Sequence, residues 1–250
     1  MRRLLRKIKP ASGLSNLFHL LLLVILPIVV FILVRLNFVQ LALSVVVLSK
    51  WRMLAVRPRF WAANVRANAV DIMVGLSVVT FMAHASNNLL LQLLWVVLYG
   101  VWLISIKPAS GTRMIAVQAA IGQLAALMAL FLAWTAGPLY GLTLATGIIC
   151  VMAARHFFDA FDEPYAKMLA YTWGYFGAAL VWLLGHWLIF YGVISQPTLL
   201  LSIIGYGLAG MYYLDHEDKL GSGVRRQIVF IMIAVVLVIL AFSDWGDKVV

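Results

Sequence analysis

Long uncharged apolar runs, separated by short polar clusters, set the pattern of this chain. Nine runs stand out, at about Leu17–Val34, Leu36–Val56, Val70–Ala85, Leu89–Ile106, Met114–Thr135, Pro138–Ala154, Met168–Tyr191, Thr198–Leu214 and Gln227–Ser243. None alternates polar and apolar residues as a membrane β-strand would. At about 1.5 Å per residue, runs of this length cross a bilayer as helices. The pattern predicts an all-α polytopic transmembrane bundle of about nine helices, with residues 1–250 as a single membrane domain. Connections such as Ser86-Asn87-Asn88 are short, which makes successive helices antiparallel neighbours.

The second run is irregular. Lys50 and Arg52 cut into it and leave an uncharged core of only Leu36–Ser49. Either both side chains snorkel to the surface and a full span survives, or the first two runs form a re-entrant hairpin bent near Pro27. A repeat is also visible. Ile8-Lys9-Pro10-Ala11-Ser12-Gly13 recurs as Ile106-Lys107-Pro108-Ala109-Ser110-Gly111, with a weaker echo at Lys219-Leu220-Gly221-Ser222-Gly223. The three copies precede helices one, five and nine. They point to parallel repeats over 8–105 and 106–218, with 219–250 as an added helix. The local alternative is that Lys, Pro and Ser simply suit a helix start at the interface.

Composition agrees with this class: 64% of residues are hydrophobic and only 11% charged, about half the charge of a soluble domain. The net charge of +10 is not spread evenly. Seventeen of the nineteen Lys and Arg fall at 2–9, 50–66, 107–113, 155–167 and 219–226, leaving only Arg35 and Lys248 for the other side. The positive-inside rule then places the chain in a cytoplasmic (inner) membrane, N-terminus inside and C-terminus outside. The basic start followed by Leu17–Val34 reads as an uncleaved signal anchor. Arg57, Arg59 and Arg66, beside Phe60 and Trp61, suit contact with anionic headgroups, so membrane lipids account for the charge and nucleic acid is not needed as a partner. Cys150 is the single cysteine and supports no disulfide framework.

Candidate chemistry is sparse. Asp71, at the inner end of helix three, is the one acid within a span, and all seven lysines lie at helix ends or in loops. A retinal-type Schiff base is thereby excluded, and an ion-coupled carrier with midplane carboxylates is disfavoured. His216-Glu217 is followed by Leu220 where a zinc motif needs its second His. Two polar clusters remain: His156, Asp159, Asp162 and Glu163, of which His156, Asp159 and Glu163 share one helix face at i, i+3 and i+7, and Asp215, His216, Glu217 and Asp218. Together they could hold a divalent cation and clamp a diphosphate. Two acidic loops on one side of a nine-helix bundle are similar to the arrangement in intramembrane prenyltransferases. In that family, however, the loops follow helices two and six, and here Arg57 to Asn68 contains no acid. Local pairs and helix caps explain the same residues: Arg155 with Asp159, Glu163 with Lys167, Glu163 before Pro164.

Helix seven carries two stripes. Gly174, Ala178 and Gly185 form a small-residue face, expected to be buried against helix eight or three. Tyr171, Tyr175, Trp182 and His186 run beside it and, with His84 of helix three, could line a pocket for a flat or lipidic molecule. The plainer reading is that the rings fill the bundle core and His186 is buried and hydrogen-bonded. Helix seven is thus expected at the bundle centre. Two functions follow: a non-enzymatic lipid-handling or permease-like protein, or an assembly factor with a membrane-protein partner; and, as the alternative, a metal-dependent transferase acting on a lipid or prenyl diphosphate at the cytoplasmic face.

Overall fold

A computed structural model describes residues 14–109, 111–134, 137–186, 190–191 and 194–243. Among these, nine α-helices follow one another: α1 (Leu14–Arg35), α2 (Val39–Leu48), α3 (Trp61–His84), α4 (Leu89–Val101), α5 (Thr112–Ala133), α6 (Leu139–Asp159), α7 (Ala166–Leu184), α8 (Gln196–His216) and α9 (Ser222–Phe242). A two-residue antiparallel pairing, Phe190–Tyr191 with Ile194–Ser195, precedes α8. The fold class is all-α, as the apolar runs require. Six of the helices, α3 to α6, α8 and α9, are long and apolar enough to cross a membrane. The chain is accordingly an integral membrane protein.

Local sequence sets the helix ends. Asn37 takes a left-handed conformation (φ 62°) and stops α1, while the Phe38 N–H closes back on the Leu33 carbonyl at 2.8 Å. Asn88 caps α4 by accepting from the Leu91 N–H at 3.0 Å. Pro138 precedes α6, and Pro197 lies in the first turn of α8, where its missing N–H is harmless.

Helix α4 continues into a π-helical turn at Trp102–Ile106. Such a turn rotates the following residue off the helical register, and here that residue is Lys107.

The irregular second run resolves into a half-length element. With 10 residues, α2 is about 15 Å long, and it gives way to a 3₁₀ turn at Trp51–Met53. Pro27 lies inside α1, so no hairpin bends there. Trp61 secures the descending segment by donating to the carbonyls of Leu54 and Val56, both at 3.0 Å.

The apolar core falls into two main parts. One is built from α1 to α4 around Val30, Val46, Val78, Met82 and Tyr99. The other is built from α5 to α8 around Leu127, Phe131, Leu142, Cys150, Val181 and Leu201. In each group the first helix neighbours the second and the fourth. The groups join where α3 packs on α5 and α6; Gly122 lets α5 close onto Val70 and Met73.

Helix α7 is not the centre of the bundle, contrary to the expectation from its stripes. It packs chiefly along α6 and only lightly on α8. Gly174 and Gly185 are buried, but against Gly147, Val151 and Leu139 of α6 rather than against α8 or α3. Among the long spans α3 is the most buried and α9, packed on α8, the least.

Candidate functional site

Among the described residues a dense polar cluster surrounds Asp71. Its carboxylate is buried on α3, and one oxygen, Oδ2, lies 2.5 Å from Lys50 Nζ and 2.6 Å from Lys107 Nζ. The other oxygen, Oδ1, accepts the indole N–H of Trp102 at 2.9 Å. Each partner comes from an irregular place in the chain. Lys50 follows the early end of α2, Trp102 opens the π turn, and Lys107 closes it. Lys50 is buried, whereas Lys107 is about one-third exposed.

The network extends into α5 and α6. Gln118 donates to the carbonyls of Ile106 at 2.6 Å and Ala109 at 3.0 Å, tying down the residues on either side of Lys107. Its amide oxygen lies 3.0 Å from His156 Nε2, so His156 carries a proton on Nε2 and donates it. Arg155 pairs with Asp159 at 2.8 Å, and Arg66 approaches the same carboxylate at 3.7 Å. Beside Asp71 lies a cleft of about 130 Å³, lined among others by Asn68, Trp102, Lys107, Gln118 and His156.

The metal-site residues expected from the sequence are distributed rather than gathered. His156 turns to Gln118, Asp159 to the two arginines, and Glu163 to the Tyr212 hydroxyl. Asp215, Glu217 and Asp218 are exposed, and Glu217 pairs with Lys219 at 3.0 Å. The Lys219 ammonium holds the Glu217 carboxyl below its ordinary range. The two loops do meet, but through rings: Phe161 packs against Tyr212, Tyr213 and His216. Among the described residues no three His, Cys, Asp or Glu side chains are placed to share a metal ion.

The aromatic stripe of α7 faces outward. Tyr171, Tyr175 and Trp182 are 65%, 78% and 52% exposed. The two tyrosines edge a shallow apolar groove of about 380 Å³ between α6 and α7, lined also by Ile148, Val151 and Ala178. His186 is exposed and bonds back to the Trp182 carbonyl at 2.9 Å, which corrects the expectation of a buried ring. His84, also exposed, bonds the Thr80 carbonyl at 3.0 Å on its own helix. Of the five residues, Tyr171 and Tyr175 line this groove, whereas Trp182, His186 and His84 are not among its lining residues.

Of the arginines expected to meet headgroups, Arg57 and Arg59 are exposed, with Arg59 lying 4.6 Å over the Phe60 ring. Arg66 is drawn partly inward to Asp159. Comparison of the chain with family models, with curated proteins and with solved structures finds no match.

Proposed function

We propose that this is a non-enzymatic lipid-handling protein of a cytoplasmic membrane, with the end of the bundle that carries Lys50, Asp71 and Lys107 on the cytoplasmic side, holding anionic headgroups. The observation that carries this reading is the surplus of positive charge built into that end. Two ammonium groups share one buried carboxylate, and Arg57 and Arg59 stand exposed in a segment with no acid from 57 to 68. Juxtamembrane basic groups attract an anionic leaflet by about 1 kcal/mol each. Arg35, by contrast, sits at the far end of α1, bonded to the Ser86 carbonyl at 3.3 Å. The separate partners of His156, Asp159 and Glu163 weigh against the metal-dependent transferase.

Native mass spectrometry on protein from mixed micelles tests this reading. Phosphatidylglycerol should be retained in preference to phosphatidylcholine, and the preference should fall in an Arg57→Gln/Arg59→Gln double variant. Equal retention of the two lipids would refute it.

The matching neighbour order in α1–α4 and α5–α8 supports a duplicated four-helix unit with α9 added. Two chains split near Gly111 and co-expressed should then reassemble in the membrane. Rapid degradation of both halves would argue against two self-contained units.

A further inference from the structure

The Asp71 cluster has one feature that packing alone does not explain. Lys50 and Lys107 bring two positive charges to a single carboxylate, and Lys50 is buried. A surplus buried charge is costly unless something compensates it. Among the described residues no further acid pairs with either lysine: the carboxylate of Asp159 is already shared by Arg155 and Arg66. Arg155 even keeps a buried Nε–H with no acceptor. Four cationic side chains thus share two carboxylates in this network, and of these groups Lys107 and Asp71 line the cleft.

The cleft itself is shaped for an anion rather than a cation. Lys107 lines it, and its exposed side leaves ammonium hydrogens beyond the one directed at Asp71. Asn68 lines it too and spends one amide hydrogen on the Asn64 carbonyl at 2.9 Å, which leaves the second available. A metal ion would be repelled by both lysines. A volume of about 130 Å³ admits a few waters or one tetrahedral oxyanion. We propose that this cleft binds a phosphate group, with Lys107 and Asn68 as its direct donors and Gln118 holding the Lys107 backbone in place. This rests on the lipid-handling reading only for the source of the phosphate, which is either a lipid headgroup or a free phosphate.

The test uses full-length protein in neutral detergent and follows thermal unfolding. Inorganic phosphate is titrated against chloride at matched ionic strength, and short-chain phosphatidylglycerol against phosphatidylcholine. The variants are Lys107→Gln and Asn68→Leu, with exposed Arg225→Gln as a surface control. Phosphate should raise the midpoint of the wild type and of Arg225→Gln. Loss of one charge-assisted bond should weaken half-saturation about tenfold or more in the other two. If Lys107→Gln fails to fold, Asn68→Leu decides, since it leaves the Asp71 pairs intact. The site is overturned if phosphate and chloride act alike on the wild type, or if both cleft variants respond as the wild type does. A phosphatidylglycerol preference that survives in both cleft variants together with an unchanged phosphate response overturns the cleft and leaves the lipid reading standing. A cleft-dependent phosphate response with no lipid preference supports the cleft and overturns the lipid reading.

Discussion

Lys50 and Lys107 share a single oxygen of Asp71, at 2.5 and 2.6 Å. This arrangement ties the end of α2 and the end of the π turn to one point on α3, the most buried of the long spans. Asp71→Asn leaves Lys50 buried without its carboxylate and should cost about 3–5 kcal/mol, the usual price of breaking a buried pair from one side. Adding Lys50→Met should recover part of that loss. A denaturation series in mixed micelles on the two single variants and the double variant checks this; additive losses would mean the pair is uncoupled.

The α6–α7 contact predicts a contrast between neighbouring residues. A Cβ on Gly174 would run into Val151 and approach the Gly147 carbonyl oxygen to 2.9 Å. Gly174→Ala and Gly185→Leu should each destabilise by about 1–3 kcal/mol through overpacking. Tyr175→Ala, on the exposed side, should change stability by no more than about 0.5 kcal/mol. The same unfolding assay separates the cases, and a larger loss at Tyr175 would place the rings in the core after all.

Glu163 predicts a pH dependence. The Tyr212 hydroxyl, and then the Tyr165 N–H at 3.2 Å, hold its carboxyl below the ordinary glutamate range. A depressed carboxyl stabilises the fold above the unfolded value. That contribution is lost as the pH falls through the folded value. Melting midpoints measured from about pH 6 down to about pH 3 should therefore drop less steeply in Glu163→Gln than in the wild type. Identical slopes would show that the bond contributes nothing.

Orientation predicts a labelling pattern. Asn87 and Asp218 are exposed at opposite ends of the bundle, and the native Cys150 is buried. In sealed cells an impermeant thiol reagent should reach Asn87→Cys and leave Asp218→Cys unmodified. The reverse pattern would turn the molecule over.

Much of this was legible in the sequence because hydropathy is local. An apolar run needs no knowledge of its neighbours to be a helix, so nine helices and the basic connections could be read directly. Helix pairing could not. In lipid, the outward and inward faces are both apolar, and close contact is made by small residues on either helix. The glycines of α7 therefore announced a contact without naming α6 as the partner. Its aromatic stripe looked like a core but faces outward.

The Asp71 site left three separate traces. The sole acid within a span had no local explanation, while a lysine cutting into a short apolar run and a lysine in a repeated motif each had one. Pairing a lone intramembrane acid with the nearest out-of-place cations would have found it. The π turn that delivers Lys107 has no comparable signal in Trp102–Ile106.

The most direct measurement is phosphorus-to-nitrogen dephasing by solid-state NMR at Lys107 Nζ, assigned with Lys107→Arg, for protein in phosphatidylglycerol bilayers. A headgroup held in the cleft predicts clear dephasing of that resonance, diminished in Asn68→Leu. A Lys107 signal with no phosphorus contact would contradict a phosphate site at this end of the bundle.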